Sequence, residues 1–298
     1  MPDQVPVLIT WDVDPFGRRW AEKKQTLRTA SELCQELGIP TTFFFVSQEA
    51  TRHPEEIAEM KRTGHEIGCH GLTHGDEEEY NRMPRDMQRR YIEQATRLLE
   101  EVAGTAITAF RGPRVKVSST TLELLAEYGY LTDSSVCSQR LDLVSSNLIN
   151  MGWLVAPRSP YHPHRENAFK RGNLNILEVP VSALMIPFIS STLYTLRLPL
   201  MKALFRLLYA EACHTNKPIV YLAHPVEFGF QPYARLRWSS LSVRKLRTHG
   251  LKLRHRLREP NPELRLDLTR ALFSYMAAFP GVRFMTMRGY ALQSGQRV

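Results

Sequence analysis

Leu8-Ile9-Thr10-Trp11-Asp12-Val13-Asp14-Pro15 is the stretch on which the reading of this chain turns. Residues 5–11 form a continuous apolar run, the pattern of a strand buried on both faces. It ends in two carboxylates, Asp12 and Asp14. Further along stands His70-Gly71-Leu72-Thr73-His74. One carboxylate and two imidazoles can close on a divalent ion, and a second carboxylate beside them is free to act as a base. His70 and His74 are four apart, a spacing that on a helical turn puts both imidazoles on one face. That combination outlines a metal-dependent hydrolase.

Outward from this stretch, apolar periodicity predicts a helix over 24–37, with Leu27, Ala30, Leu33 and Leu37 on one face and Gly38 as its stop. Residues 41–46 read as a strand, 54–62 as a helix and 65–69 as a short strand. A long amphipathic helix follows over 85–102, carrying Met87, Tyr91, Ala95, Leu98 and Val102 on its apolar face. Residues 106–110 read as a strand, 119–128 as a helix and 130–132 as a strand. Later strands are expected at 174–179, 219–222 and 282–286. Strands alternating with helices imply an α/β fold with a parallel sheet covered on both faces. So many βα units favour closure into a distorted (β/α) barrel over an open sheet. Asp12, His70, Arg111, Asp133 and His224 then fall at or just past strand ends, where barrels place their chemistry.

The chain has 298 residues, 43% of them hydrophobic, enough for one large core or two modest ones. We read 1–298 as a single domain with an apolar segment at about 181–210 and a basic insertion at about 228–262. The net charge is +9. Between Phe228 and Arg258 there is no acidic residue, while Arg235, Arg237, Arg244, Lys245, Arg247, Lys252, Arg254, Arg256 and Arg258 supply nine cations, the whole of the excess. Cys34, Cys69, Cys137 and Cys213 lie far apart, as reduced thiols of a cytosolic protein would. The N-terminus lacks a basic region followed by an apolar run, so no secretory signal is expected.

These residues resemble the polysaccharide deacetylase family (NodB homology, carbohydrate esterase family four) from about Leu8 to His224, with the final helix and strand also fitting. Thr10-Trp11-Asp12-Val13-Asp14 is similar to the family's T-F-D-D-G in a D-x-D form. His70-Gly71-Leu72-Thr73-His74 is similar to H-[ST]-x-x-H, with glycine in the second place, after Gly64-His65-Glu66-Ile67-Gly68. Arg111-Gly112-Pro113 follows R-x-P and departs at Arg114. Asp133-Ser134-Ser135 and Leu222-Ala223-His224-Pro225 resemble the fourth and fifth motifs. The resemblance implies a NodB-type barrel and an amide hydrolase that removes an acetyl or formyl group from an N-acylated sugar. It implies one divalent metal held by Asp14, His70 and His74, zinc first, with cobalt, manganese or nickel as alternatives. The inserted Val13 leaves two assignments of the carboxylates. Asp14 as ligand and Asp12 as base is preferred, because Asp12 aligns with the family base. Arg111 would keep Asp12 ionised and aimed. His224 would protonate the leaving amine, with Asp133 fixing its tautomer. The backbone N–H of Arg114, after Pro113, would hold the oxyanion with the metal. Pro113, Arg114, Leu222 and Trp153 would line the substrate site.

Other features have plainer readings. His65 is expected to be a structural hydrogen-bonder and Cys69 a small core residue. His162 and His164 belong to a Pro-rich loop rather than to a second metal pair. Trp11 and Trp153 read more readily as core than as sugar platforms. The apolar segment is interrupted by Pro187, Arg197, Pro199, Lys202 and Arg206, which disfavours a membrane span. A buried helix is expected there, an interfacial or lipid-tail surface being the sharper alternative. The basic arm Arg235–Arg258 reads as solvated, or as a contact for an anionic membrane surface, a phosphate-bearing substrate or a second copy in a homo-oligomer. Nucleic acid is not expected, since no such motif accompanies it. The expected location is cytoplasmic, peripheral at the inner membrane face of a bacterium. Two other functions compete: a cyclic or linear amide hydrolase of the allantoinase-like branch, and a non-catalytic carbohydrate-binding member of the family.

Overall fold

All nine residues of the first strand, β1 (Val5–Val13), are buried, as its unbroken apolar run requires. The structure, a computed structural model, describes residues 4–15, 20–140, 151–229 and 258–295. After β1 come α1 (Trp20–Glu36), β2 (Thr42–Phe45), α2 (Ser47–Ala50), α3 (Pro54–Arg62), β3 (Glu66–Cys69), α4 (Arg85–Ala103), β4 (Ala109–Phe110), α5 (Ser119–Glu127) and β5 (Thr132–Asp133). The second half holds α6 (Met151–Val155), β6 (Pro163–His164), β7 (Asn167–Arg171), β8 (Leu177–Glu178), β9 (Ala183–Leu184), β10 (Ile186–Pro187), α7 (Ser190–Thr215), β11 (Ile219–Ala223), α8 (Pro262–Ala277), β12 (Val282–Phe284) and α9 (Met287–Gln293). The helix ends follow local chemistry. Ser118 and Thr121 form a reciprocal capping box on α5, and Asn261 caps α8 with Pro262 at its first position.

The main sheet runs β11-β1-β2-β3-β4-β5-β8, every pair parallel, with β12 beside the first residues of β1. Leaving β8, the chain crosses the remaining gap. Val179 N–H donates to Asp133 O, Val181 N–H to Val136 O, and Ser182 N–H to Val220 O on β11. These bonds curl the sheet into a half-barrel with helices outside, the distorted (β/α) barrel expected from the alternating pattern. The strands at 106–110 and 130–132 shorten to two paired residues each, because Thr108 O takes both Leu131 N–H and Thr132 N–H in a turn-like junction. The antiparallel pairs β6–β7 and β9–β10 were not expected; each contains a two-residue strand, too brief for a periodic signal.

The apolar segment is helical. In α7 the helix breaks at Arg197 (φ 67°), just before Pro199, which has no N–H to give and crowds the preceding turn. Beyond the break Met201, Leu204, Phe205 and Leu208 are buried, while Leu196, Leu200 and Leu207 stay exposed. The buried-helix reading therefore holds for one face. Among the described residues no helix is long and apolar enough to cross a membrane. Of the basic arm, residues 230–257 lie outside the described residues, and the expectation of a solvated or docking arm rests with them. Its last cation differs from that expectation: Arg258 is buried and paired with Glu227.

Phe205 is fully buried, stacked on Phe188 with ring centroids 6.1 Å apart and edge-on to Phe279 at 5.0 Å. Phe205→Ala should cost about 3–5 kcal/mol of folding stability. Equilibrium denaturation would show this as a lower midpoint at unchanged slope. A loss under about 1 kcal/mol would mean that α7 does not carry the core on this side.

Candidate metal centre and catalytic groups

The parallel register brings the chemistry to one rim. Asp12 lies opposite Phe44, Phe45 opposite Cys69, Cys69 opposite Phe110, Phe110 opposite Asp133, and Trp11 opposite Ala223. The residues one step beyond, His70, Arg111, Ser134 and His224, therefore emerge side by side at the C-terminal ends of their strands.

Asp14 sits at the centre of the group. Its Oδ1 is 3.4 Å from His70 Nε2 and 3.6 Å from His74 Nε2, and its Oδ2 is 3.8 Å from His224 Nε2. One donor atom each from Asp14, His70 and His74 falls within 4.8 Å of the others. His70 Nδ1 is 2.7 Å from the carbonyl oxygen of Arg111. A carbonyl only accepts, so Nδ1 carries the proton and a neutral His70 turns the lone pair of Nε2 toward Asp14. Asp14 Oδ1 is buried and makes no hydrogen bond of good geometry. Two electron-rich atoms facing one another in a buried site call for a cation between them. A carboxylate oxygen and two imidazole nitrogens form a donor set that suits a divalent metal such as zinc.

The electrostatics agree. Burial alone would raise the Asp14 carboxyl, but the close approach of His70, with His224 and His74 nearby, outweighs it and holds the group at about 2. Burial disfavours a charged His70, yet Asp12 and Asp14 reverse that and raise its affinity for a proton. Burial dominates at His74, which is lowered.

Asp12 has a different environment. Arg111, fully buried, donates from Nη1 to Asp12 Oδ1 (2.8 Å) and to Thr10 Oγ1 (2.8 Å). Its Nη2 donates to Ser134 Oγ (2.8 Å) and its Nε to Ser134 O (2.9 Å). The guanidinium also lies over the Phe44 ring, 4.4 Å from the centroid. Asp12 Oδ2 faces the site, 3.9 Å from His70 Nε2. The two carboxylates thus separate as preferred from sequence, Asp14 against imidazoles and Asp12 against Arg111.

Three local expectations differ. The His70–His74 segment was taken as a helical turn; it is a loop past β3, with Gly71 at φ 81° and His74 at φ 60°. The four-residue spacing brings the imidazoles together, 5.4 Å between centroids, through a loop anchored on the buried Glu78. Asp133 was expected at His224, but it accepts from Ser135 Oγ (2.6 Å) and is paired with Glu178. The carboxylate beside His224 Nδ1 is Glu227, at 3.7 Å, itself bound to Arg258. Arg114 does not point along a groove. Its guanidinium donates to Gly75 O (3.1 Å), His74 O (3.2 Å) and Asp76 Oδ1 (3.2 Å), clamping the histidine loop.

Pro113 and Leu222 are buried at the rim. Trp153 is only 5% exposed, beneath Arg140 in the apolar core, so the platform role has no surface to act through. Trp11 is core, stacked on Phe43. His65 is buried edge-on to Phe43, and burial lowers its proton affinity. The Ser31 backbone opposes that lowering by hydrogen bonding, and His65 remains a buried packing residue away from the site. His162 Nδ1 bonds Leu174 O (2.9 Å) and His164 Nδ1 accepts from Glu166 N–H (3.1 Å), which leaves them loop residues. The four cysteines are free thiols. Glu78, Glu178 and Glu227 were missed in sequence, since a lone glutamate gives no sign of burial until the fold is known.

With this geometry in hand, comparison with known proteins is decisive for the N-terminal part. Residues 2–132 match the polysaccharide deacetylase family. A peptidoglycan deacetylase of Helicobacter pylori (strain ATCC 700392 / 26695) is 26% identical over 105 residues, 35% of this chain and 35% of that protein. The match therefore spans about a third of that relative's length. Over the whole fold, a candidate polysaccharide deacetylase from Mycobacterium smegmatis superposes with a TM-score of 0.64 at 21% identity, covering 98% of this chain and 91% of that one. An allantoinase gives 0.60 at 16% identity over 99% and 92%. A candidate polysaccharide deacetylase from Pseudomonas aeruginosa PAO1 gives 0.59 at 15% over 97% and 90%. The deacetylase resemblance read from the motifs is borne out, and the solved structures share the fold. The matched deacetylase stretch covers Asp12 to Arg111 and ends before Asp133 and His224.

Asp133 and Glu178 lie opposite each other on β5 and β8, both fully buried. Burial raises both carboxyls, Glu178 furthest, with Asp133 adding repulsion. The unfolded chain sheds these protons near pH 4, whereas burial makes the folded pair hold them to higher pH. The pair's contribution is thus complete below that pH and is lost as pH rises through the raised folded values. Glu178→Gln, which keeps a neutral hydrogen-bonding group there, should gain thermal stability relative to the parent as pH goes from about 4 to 8. A difference in midpoint that stays constant with pH would show that the pair does not share a proton.

Proposed function

We propose that this chain is a metal-dependent amide hydrolase that removes an acyl group, acetyl or formyl, from an N-acylated sugar. The observation that carries the reading is the buried Asp14–His70–His74 donor set beside an Arg111-held Asp12. The deacetylase match over residues 2–132 and the printed activity of the Helicobacter pylori relative support a sugar-borne amide as substrate.

Asp14, His70 and His74 would hold the metal. A divalent ion bound there would act as a Lewis acid toward an amide carbonyl and toward water. Asp12 takes the proton of the attacking water at Oδ2, while Arg111 holds Oδ1 and fixes the orientation of the carboxylate. His224, about one-third exposed at the mouth of the site, delivers a proton from Nε2 to the leaving amine. Glu227 replaces Asp133 as the carboxylate behind that imidazole. The 3₁₀ turn at Pro113–Val115, where Arg114 has φ 57°, follows Arg111 and Gly112 directly, and the backbone N–H of Arg114 would stabilise the oxyanion. The eight cations from Arg235 to Arg256 and the exposed Leu196, Leu200 and Leu207 support an acceptor carried on a lipid or phosphate, met at an anionic membrane surface from the cytoplasmic side. The allantoinase likeness, at 16% identity, is one of fold alone and carries no substrate to this chain.

The test is acyl or amine release from a panel of N-acyl sugars, free and lipid-linked, with a cyclic ureide as control. Chelation should abolish turnover, and zinc, cobalt or manganese should restore it. Turnover of the ureide alone would overturn the sugar reading. Asp14→Asn should lose metal by elemental analysis. Asp12→Asn should keep stoichiometric metal while kcat falls about 100-fold or more. If the two phenotypes exchange, Asp12 is the ligand and Asp14 the base. His224→Ala should keep metal and lower kcat; an unchanged kcat would assign the proton donor elsewhere.

A further inference from the structure

We propose that Glu78 is the positioning residue of the candidate metal centre, its buried carboxylate gathering the backbone of the histidine loop and thereby setting the two imidazoles. The inference rests on the metal-site reading above and adds a residue outside the ligand set.

The loop from His70 to His74 forms no helix or strand that would fix it. Its carbonyls are held by Ser47 N–H on Gly71 O (3.0 Å), Gln48 N–H on Leu72 O (3.1 Å) and the Arg114 guanidinium on His74 O (3.2 Å). His70 N–H is tied to Phe45 O (2.7 Å), and the N–H groups of Leu72, Thr73 and His74 are held by one side chain. Glu78 Oε1 accepts from Leu72 N–H (2.7 Å), and Oε2 accepts from Thr73 N–H (2.7 Å) and His74 N–H (2.7 Å). Thr73 Oγ1 (3.0 Å) and Tyr80 OH (3.0 Å) add to the same carboxylate. Five donors converge on a group with no exposure to solvent. Hydrogen bonds to a carboxylate are stronger than neutral ones, and three successive N–H groups form an anion-binding concavity.

The geometry of the loop follows from that anchor. His74 holds φ 60°, a left-handed conformation that a non-glycine residue keeps only when its surroundings impose it. The N–H that Glu78 captures is the one preceding that strained Cα. At Gly71, φ 81°, a Cβ would lie 2.5 Å from Glu78 Oε1, so the approach of carboxylate to backbone also requires glycine there. His70 is oriented independently, through Nδ1 on Arg111 O. His74 depends on the loop, and therefore on Glu78. Groups that orient metal ligands change metal affinity by about 10–100-fold when removed.

The experiment measures zinc affinity of the intact chain by competition with a chromophoric chelator, alongside the thermal midpoint of the metal-free protein and kcat against added zinc. Glu78→Gln replaces an acceptor oxygen by an amide donor facing N–H groups. It should weaken zinc binding about 10–100-fold, with kcat recovered at saturating zinc. A merely structural role would lower the thermal midpoint and leave zinc affinity of the folded fraction unchanged, and that result would overturn the proposal. Tyr80→Phe removes one donor from Glu78 without touching the backbone. It should weaken zinc several-fold in a folded protein, and an unchanged affinity would count against the proposal even where Glu78→Gln does not fold. His74→Ala separates the two claims. If the parent binds zinc, His74→Ala loses it and Glu78→Gln is indifferent, only the positioning role fails. If the parent binds none, the metal-site reading fails.

Discussion

A buried guanidinium holds the rim of this barrel together. Arg111 has no exposure, and an unpaired charge at that depth would be prohibitive. Its partners come from two separate strand ends: Thr10 and Asp12 from β1, and Ser134 just past β5. Thr10 Oγ1 in turn donates to Tyr221 O on β11, at 2.7 Å. One side chain thus spans the sheet from β11 across to β5, and Asp12 is where its charge is balanced. Breaking such a pair leaves an uncompensated buried ion, a loss of about 3–5 kcal/mol. The carboxylate that would act as base is therefore held at a fixed orientation by an interaction the fold itself needs.

Around that pair the rim concentrates groups that repel unless a cation is present. Asp14 Oδ1 and the lone pair of His70 Nε2 face each other at 3.4 Å. The raised proton affinity of His70 and the lowered one of Asp14 are two sides of this arrangement: a positive charge is drawn into the gap. A metal meets the same requirement with better geometry, because it can serve His74 as well. The supporting glutamates lie one layer out. Glu78 holds the histidine loop, and Glu227 stands behind His224 with Arg258 against it. Each of the two is compensated by donors or a cation, so neither adds a free charge to the site.

What was legible in the sequence was whatever repeats or aligns. The apolar run of β1, the amphipathic face of α4 and the alternation of strands and helices each carry a period, and the barrel followed from them. Asp12, Asp14, His70, His74, Arg111 and His224 were legible because their motifs resemble those of the polysaccharide deacetylase family, and Asp12, His70, Arg111 and His224 also fall at strand ends. The partners were not. Asp133 and Glu227 are both acidic and both near motifs, and nothing local tells which one meets His224. That is decided by the register of β5 against β8, which pairs Asp133 with Glu178 across the sheet. The histidine loop was misread as a helical turn for a related reason. A four-residue spacing suits a helix, but Gly71 and the left-handed His74 produce the same proximity when a carboxylate, not a helical ladder, takes the N–H groups.

Arg258 links these layers. By charge it closes the basic stretch, yet it is buried, ion-paired to Glu227 and set over the Tyr194 ring at 5.3 Å. Arg265, also buried, donates to Glu227 O (2.9 Å) and to Glu259 O (2.6 Å), so α8 is sewn to the turn that carries His224. Glu227 and Arg258, the described residues on either side of that stretch, therefore meet beside His224. Arg258 belongs to the rim by this contact: its guanidinium is matched to Glu227, and Glu227 stands against the imidazole, so the last cation of the basic stretch is a structural charge.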